Sequence, residues 1–361
     1  MKPCLPALPA ALTLLCAPLA YAAEPLTVTA EPLLFTGDTK AAATATLLHV
    51  PEAAPEIKSG DGSLTFTPGR DFTWEPGSRI VTLTADSRIP SMTAAQLHPA
   101  PNSPQAYASQ RGTTAWMFYG PGRILHDLQA KATYRSADDW SPPRAAPASD
   151  EQLGPFRAKL RAHQPVTVVV LGDSISTGLD ASALSQAEPR QPGYPDLVAA
   201  ALQTRCGSPV ALHNLAVSGM DAAWGLTQIP AVLTHQPDLL LLAFGMNDAS
   251  GKRTPDEFAR LSQEIVQRVR TAQPKCSAIL VSSMTANAEW IHSAPDLYPA
   301  YARALASLSG PSVAFADVTA TWSAVEQRKK FLDLSGNGLN HPNDYGHRLY
   351  ADAILQVIAV P

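Results

Sequence analysis

At 361 residues, 45% hydrophobic and 16% charged, the chain is long and apolar enough for two domains or one large one, which excludes a small disulfide scaffold. Its net charge of -4 comes with scattered Lys and Arg. No basic stripe points to nucleic acid, and so mild an acidity points to no particular partner.

Residues 1–23 read as a signal peptide, with Lys2 as the positive end, Leu5 to Leu19 as the apolar stretch and Ala20-Tyr21-Ala22 as the small-x-small site, cleaved near Ala22/Ala23. Pro6, Pro9 and Pro18 interrupt a run already shorter than the ~20 apolar residues a membrane span needs. Leu15 before Cys16 is too bulky for a lipid-attachment signal. A secreted or periplasmic protein without stable membrane insertion is expected. Export would leave Cys206 and Cys276 in an oxidising compartment. A disulfide between them stays open, although both precede strands not expected to be neighbours and the Cα atoms must lie within about 7 Å.

From 24 to 135 the segments LTVTAEPLLF, ATATLLHV, SLTFTP and RIVTLTA alternate apolar or β-branched residues with small polar ones, punctuated by Gly60-Asp61-Gly62 and Pro68-Gly69. The pattern predicts a small β-sandwich domain. Trp74, Trp116 and Trp140 fit either a glycan-binding face or the core of a domain that braces its neighbour. Residues 136–160, with Pro142, Pro143 and Pro147, read as a Pro/Ala-rich linker.

From 161 to 361 strands alternate with helices, the pattern of a three-layer α/β/α sandwich on a mainly parallel five-stranded sheet. Val166 to Leu171 is apolar throughout, as a strand covered on both faces should be. Leu212 to Val217, Asp238 to Phe244, Ala278 to Ser282 and Val313 to Ala316 follow as strands. The clearest helix has Thr254 as cap, Pro255 in its first turn, Glu257 completing a capping box, and a buried stripe of Phe258, Leu261, Ile265 and Val269. A last helix runs from about Asn343 to Val357.

Ligands of open α/β sheets gather at the carboxyl ends of the strands. The first three strands end in Gly172-Asp173-Ser174, Ser218-Gly219 and Gly245-Met246-Asn247-Asp248, and Asn340-His341-Pro342-Asn343-Asp344 precedes the last helix. These residues suit acyl transfer. Ser174 needs a base to take its proton, and His341 is placed to serve. Ser174 N–H, Gly219 N–H and the Asn247 amide are candidate donors to the oxyanion, each worth about 3 to 4 kcal/mol in the transition state. Asp173 would hold the serine loop by hydrogen bonds, and Asn247-Asp248 can also be read as an ordinary loop.

These blocks, GDS, NLAVSG, GMND and HPND in order, resemble those of the SGNH/GDSL hydrolase superfamily. The resemblance covers about Val166 to Val357 and implies that family's flavodoxin-like sandwich and an ester hydrolase without a cofactor. It assigns the four name-giving roles to Ser174, Gly219, Asn247 and His341. The family's acid usually stands three residues before the histidine, and that position is Gly338. Asp333 and the Gly338 carbonyl are the favoured substitutes, with Asp344 and Asn337 also open.

An exported member with an accessory β-sandwich resembles bacterial carbohydrate esterases that remove O-acetyl groups from polysaccharides, so a small-molecule or polysaccharide ester is the expected substrate. The alternatives are a lipase, lysophospholipase or thioesterase, and a non-catalytic glycan-binding protein on a hydrolase scaffold. His213, His235, His292 and His347 read as structural or surface residues, His292 also as a candidate for lining the acyl or sugar pocket. No HExxH, paired CxxC or carboxylate cluster suggests a metal. The G-x-S-x-G elbow is missing, since Ile175-Ser176 follows Ser174.

Overall fold

The computed structural model describes residues 26–109 and 113–359. The segment read as a signal peptide lies outside the described residues. The N-terminal region holds two sheets. Leu26–Leu33, Ala130–Ser136, Glu56–Lys58 and Thr65–Phe66 form one, in that order and antiparallel throughout. Phe72–Trp74, Ile80–Leu83, Thr44–Thr46, Phe35–Thr36 and Ser91–Met92 form the other, antiparallel except for the last pair. Leu33, Ile57, Phe66 and Ala132 of the first sheet share one core with Phe35, Phe72, Val81 and Leu83 of the second, the arrangement the period-2 patterning requires. A hairpin of Ala106–Ala108 and Trp116–Phe118 and a short helix, Ile124–Leu128, lead into the strand Ala130–Ser136.

Residues 137–149 carry no regular structure, but the stretch predicted as linker then becomes the helix Asp150–Arg161. Ser149 and Gln152 form a reciprocal capping box at its start, and Leu153, Phe156 and Leu160 are buried. A Pro- and Ala-rich composition hid these helical contacts with the sheet. Pro155, the sixth residue of the helix, cannot donate to the Glu151 carbonyl one turn back, and that carbonyl instead accepts from Ser312 N–H at 2.9 Å.

Five parallel strands follow: Val166–Gly172, Val210–Asn214, Leu239–Ala243, Ser277–Val281 and Val313–Ala316. Their spatial order is second, first, third, fourth, fifth. The central strands are buried along nearly their whole length, whereas the edge strand Val210–Asn214 is partly exposed. That strand starts two residues earlier than its apolar run predicts, because Val210 pairs with Val166. Asp150–Arg161, Tyr194–Cys206 and Asp344–Ile358 pack together on one face; Ala222–Thr227, Pro255–Ala272 and Leu297–Ala306 pack together on the other.

In Pro255–Ala272 the predicted apolar stripe is buried, each such side chain contributing about 1.5 to 3 kcal/mol. Its capping box is half formed. Thr254 Oγ1 accepts from Glu257 N–H, while the Glu257 carboxylate turns to Arg253. Cys206 and Cys276 are free and buried. Among the described residues, no helix is long and apolar enough to cross a membrane.

Candidate active site

The reversal of strand order on either side of Val166–Gly172 opens a crevice at the carboxyl end of that strand. The chain leaves the strand through Asp173 and Ser174 into a loop that stays buried to Ser182 except at Thr177 and Leu179. Ser174 Oγ lies 2.9 Å from His341 Nε2, and His341 Nδ1 lies 2.6 Å from the Asp180 carboxylate. Serine, histidine and aspartate are 5%, 8% and 4% exposed.

Asp180 fixes the tautomer. A carboxylate only accepts, so Nδ1 carries the proton and the Nε2 lone pair is left for the Ser174 hydroxyl. Asn337 Nδ2 is also 2.9 Å from Nδ1, and its orientation is set because Oδ1 accepts from Leu339 N–H at 2.8 Å and Asn340 N–H at 3.1 Å. An amide donating to Nδ1 favours the opposite tautomer. The shorter, charge-assisted contact to Asp180 prevails.

None of the four substitutes proposed from sequence supplies that carboxylate. Asp333, the predicted acid, points away from the histidine: its carboxylate accepts from Leu34 N–H at 2.7 Å and Lys330 N–H at 3.1 Å and lies 3.5 Å from Lys329 Nζ, and burial pushes its pKa up. It is a joint between the two halves of the chain. The Gly338 carbonyl accepts from Asn287 Nδ2 at 3.0 Å. Asp344 accepts from Ser182 N–H at 2.8 Å, and the cap of the last helix is its neighbour Asn343, which accepts from Tyr345 and Gly346. Asn337 contacts the ring, as a donor.

Position 338 cannot carry the family's usual acid. Gly338 sits at φ +88°, and a Cβ there would lie 2.9 Å from the backbone oxygen of Phe118. The N-terminal region occupies that space. Asp180 went unrecognised because it follows Ser174 instead of preceding His341. Its six-residue spacing from Ser174 in DSISTGLD has no periodic signature.

Gly219 and Asn247 stand at the ends of the strands flanking Ser174. Gly219 has φ +82°, and a Cβ there would meet open space, so the backbone conformation is what calls for glycine. Asn247 Nδ2 donates to Met220 O at 2.9 Å, which pins the amide to the Gly219 turn and leaves its second hydrogen free of that bond. Asp248 Oδ1 accepts from Arg253 Nε at 2.8 Å, and Arg253 Nη2 donates to Asp221 at 2.6 Å, tying the same two strand ends together. Burial raises Asp248 to about 6. Asp173 is buried beneath the serine and accepts from Ile175 N–H at 3.0 Å; burial lifts its carboxyl to about 7.

Of the remaining histidines, His347 is fully buried and driven down to about 4 by that burial, and His213 stacks on His235 at 3.9 Å. His292 lies edge-on to Trp290, which meets Tyr107 at 6.5 Å, and Tyr107 meets Tyr119 at 5.7 Å. Trp290, Tyr107 and Tyr119 are half-buried and flank the histidine loop, and His292 is exposed. Gly120, next to Tyr119, donates to Asn337 O at 2.9 Å, and Asn287, which accepts from Trp290 N–H, donates to Leu339 O at 2.7 Å. Burial, then the Asp180 charge, raises the Tyr119 pKa. Among the described residues no cluster of three or more His, Cys, Asp or Glu side chains could hold a metal.

Residues 170–349 match the model of the GDSL-like lipase/acylhydrolase family. The chain is 33% identical over 113 residues to the thioesterase 1/protease 1/lysophospholipase L1 of Escherichia coli K12, over 31% of this chain and 49% of that protein. It thus spans about half the length of the curated relatives it matches. Similar solved structures include a catalytic mutant of an acetylxylan esterase from Geobacillus stearothermophilus, with TM-score 0.45, 19% identity, and coverage of 54% of this chain and 95% of that one. A two-domain esterase active on acetylated mannans aligns with TM-score 0.47 and 22% identity over 60% of this chain and 55% of its own.

Proposed function

We propose that this chain, a member of the SGNH/GDSL hydrolase superfamily, is an ester hydrolase that works through an acyl-enzyme on Ser174, with His341 as general base and Asp180 as the acid that orients and charge-stabilises it. The observation that carries this reading is the continuous relay of 2.9 and 2.6 Å contacts from Ser174 Oγ through His341 to Asp180. His341 Nε2 takes the hydroxyl proton as Ser174 Oγ bonds to the ester carbonyl carbon. The oxyanion is met by Ser174 N–H, Gly219 N–H and Asn247 Nδ2. The alcohol leaves with the proton from His341. Water then gives a proton to His341 and attacks the acyl-enzyme, releasing the acid and restoring Ser174.

We further propose a carbohydrate O-acetyl ester as substrate and an exported enzyme. The aromatic wall of Tyr107, Tyr119 and Trp290 beside the histidine loop supports the first, because sugar C–H faces stack on such rings while hydroxyls reach the polar rim. Residues 1–23 support the second. The match to a thioesterase and lysophospholipase favours, as a second reading, a longer acyl ester. Acetate release from a panel of acetylated glycans, with Ser174→Ala as blank, tests the main reading. Turnover of p-nitrophenyl laurate far above p-nitrophenyl acetate, with no acetate released from any glycan, would favour the second. Activity persisting in Ser174→Ala would overturn both.

A further inference from the structure

Asp180 is not held by the parallel-sheet unit alone. It has φ +63°, a left-handed conformation unusual for a residue with a side chain. Two groups of the N-terminal region fasten it there. Gly122 N–H donates to Asp180 Oδ1 at 2.9 Å, the oxygen that His341 does not use, and His126 Nε2 meets the Asp180 backbone oxygen at 3.0 Å. A carbonyl only accepts, so His126 carries its proton on Nε2. His126 is 4% exposed, on the short helix Ile124–Leu128.

The same segment grips the histidine loop. Gly120 N–H donates to Asn337 O at 2.9 Å. Gln129 Nε2 donates to Leu332 O at 2.6 Å and Ser335 O at 3.0 Å, and Gln129 Oε1 accepts from Asn343 Nδ2 at 2.9 Å. The acid and the base of the relay thus rest on one ten-residue stretch, 120–129. Just upstream, the Phe118 carbonyl fills the place where an acid at position 338 would stand.

We infer that Gly122 and His126 are positioning residues for the catalytic acid, and that the N-terminal region is a structural half of the catalytic relay. The inference rests on the proposed roles of Ser174, His341 and Asp180. One Asp180 oxygen is anchored by Gly122 N–H, which aims the other at His341 Nδ1. His126 fixes the backbone from which the carboxylate projects. Losing either group lets the carboxylate swing, and Asn337 then competes for Nδ1 and draws His341 into the unproductive tautomer.

The test compares the full-length wild type with His126→Phe, which keeps a ring and loses the donor, His126→Gln, which restores an N–H of similar reach, and Gly122→Ala. The readouts are kcat and KM on p-nitrophenyl acetate and the downfield Nδ1 proton resonance of His341. For His126→Phe, kcat is expected to fall by about 10- to 100-fold, as for loss of comparable orienting contacts, with KM little changed and the resonance weakened. His126→Gln should recover most of both. Gly122→Ala keeps the N–H but strains the φ +69° turn that aims it and leaves the buried helix in place, so it carries the test if His126→Phe does not fold; a smaller fall in kcat is expected. Wild-type kcat and an intact resonance in a folded His126→Phe and in Gly122→Ala, alongside a damaged Asp180→Ala, would overturn the inference and leave the relay standing. An Asp180→Ala enzyme as active as wild type would instead remove Asp180 from the relay.

Discussion

Ser174, Gly219 and Asn247 stand at the tips of three adjacent parallel strands, each delivered by the strand that precedes it. Asp180 sits in a loop, in a left-handed conformation, and its second carboxylate oxygen and its backbone are held from the N-terminal region. The Ser174 side is therefore built by one sheet, whereas the Asp180 side is an interface. Sheet registers are set by many cooperative bonds, so the first side should tolerate change at a distance. The second depends on a few contacts and should not.

The sharpest way to break that contrast is at the acid itself. Asp180→Ala should lower kcat by about 10³- to 10⁴-fold, since Asn337 is left as the partner of Nδ1 and the histidine takes the wrong tautomer. Adding Asn337→Asp puts a carboxylate oxygen where the amide nitrogen lay 2.9 Å from Nδ1. The double variant should regain at least about 10-fold of the kcat lost in Asp180→Ala, and its failure to do so in initial-rate assays would count against tautomer control. Gly338→Asp in the same background should give no rescue, because Phe118 O blocks the site.

On the strand-tip side, Asn247→Ala should cost about 10²- to 10³-fold in kcat through loss of one oxyanion donor. Trp290→Ala should act differently: a rise of about 10-fold in KM for an acetylated oligosaccharide, corresponding to about 1.4 kcal/mol of stacking, with p-nitrophenyl acetate kinetics little changed. Equal losses on both substrates would argue against a sugar subsite.

The smallest effect on activity is expected at Asp173, where the readout is stability. Its carboxyl sits at about 7 in the folded protein against an ordinary value of 3.8, so the fold keeps a proton there that the unfolded chain loses. This group's contribution makes stability fall as pH rises from about 4 to about 7. Asp173→Asn removes it, so thermal melts should show the variant gaining on the wild type across that window, by up to about 4 kcal/mol. His347, lowered to about 4, contributes the opposite slope, losing stability as pH falls from about 6.5, and is common to both proteins. Parallel melting curves would mean that the Asp173 carboxyl titrates normally.

The sequence by itself determined what repeats or recurs locally. The alternation in 26–136 specified strands, the apolar runs specified the central parallel strands, and polar residues soon after those runs placed Ser174, Gly219 and Asn247 at one edge, since every parallel strand ends on the same side, while His341 was marked by its polar block ahead of the last helix. The helix hidden in the Pro- and Ala-rich stretch was less legible, because its buried face is defined by the sheet it covers. Only the tertiary structure decided which carboxylate serves His341. Asp333 and Asp344 are nearer to it in the chain, yet backbone amides already claim both. Asp180 is 161 residues away and reaches the ring because a loop turns left-handed against a neighbouring region. A carboxylate's partner depends on which donors fold around it, and that is a property of packing, which spacing along a chain does not record.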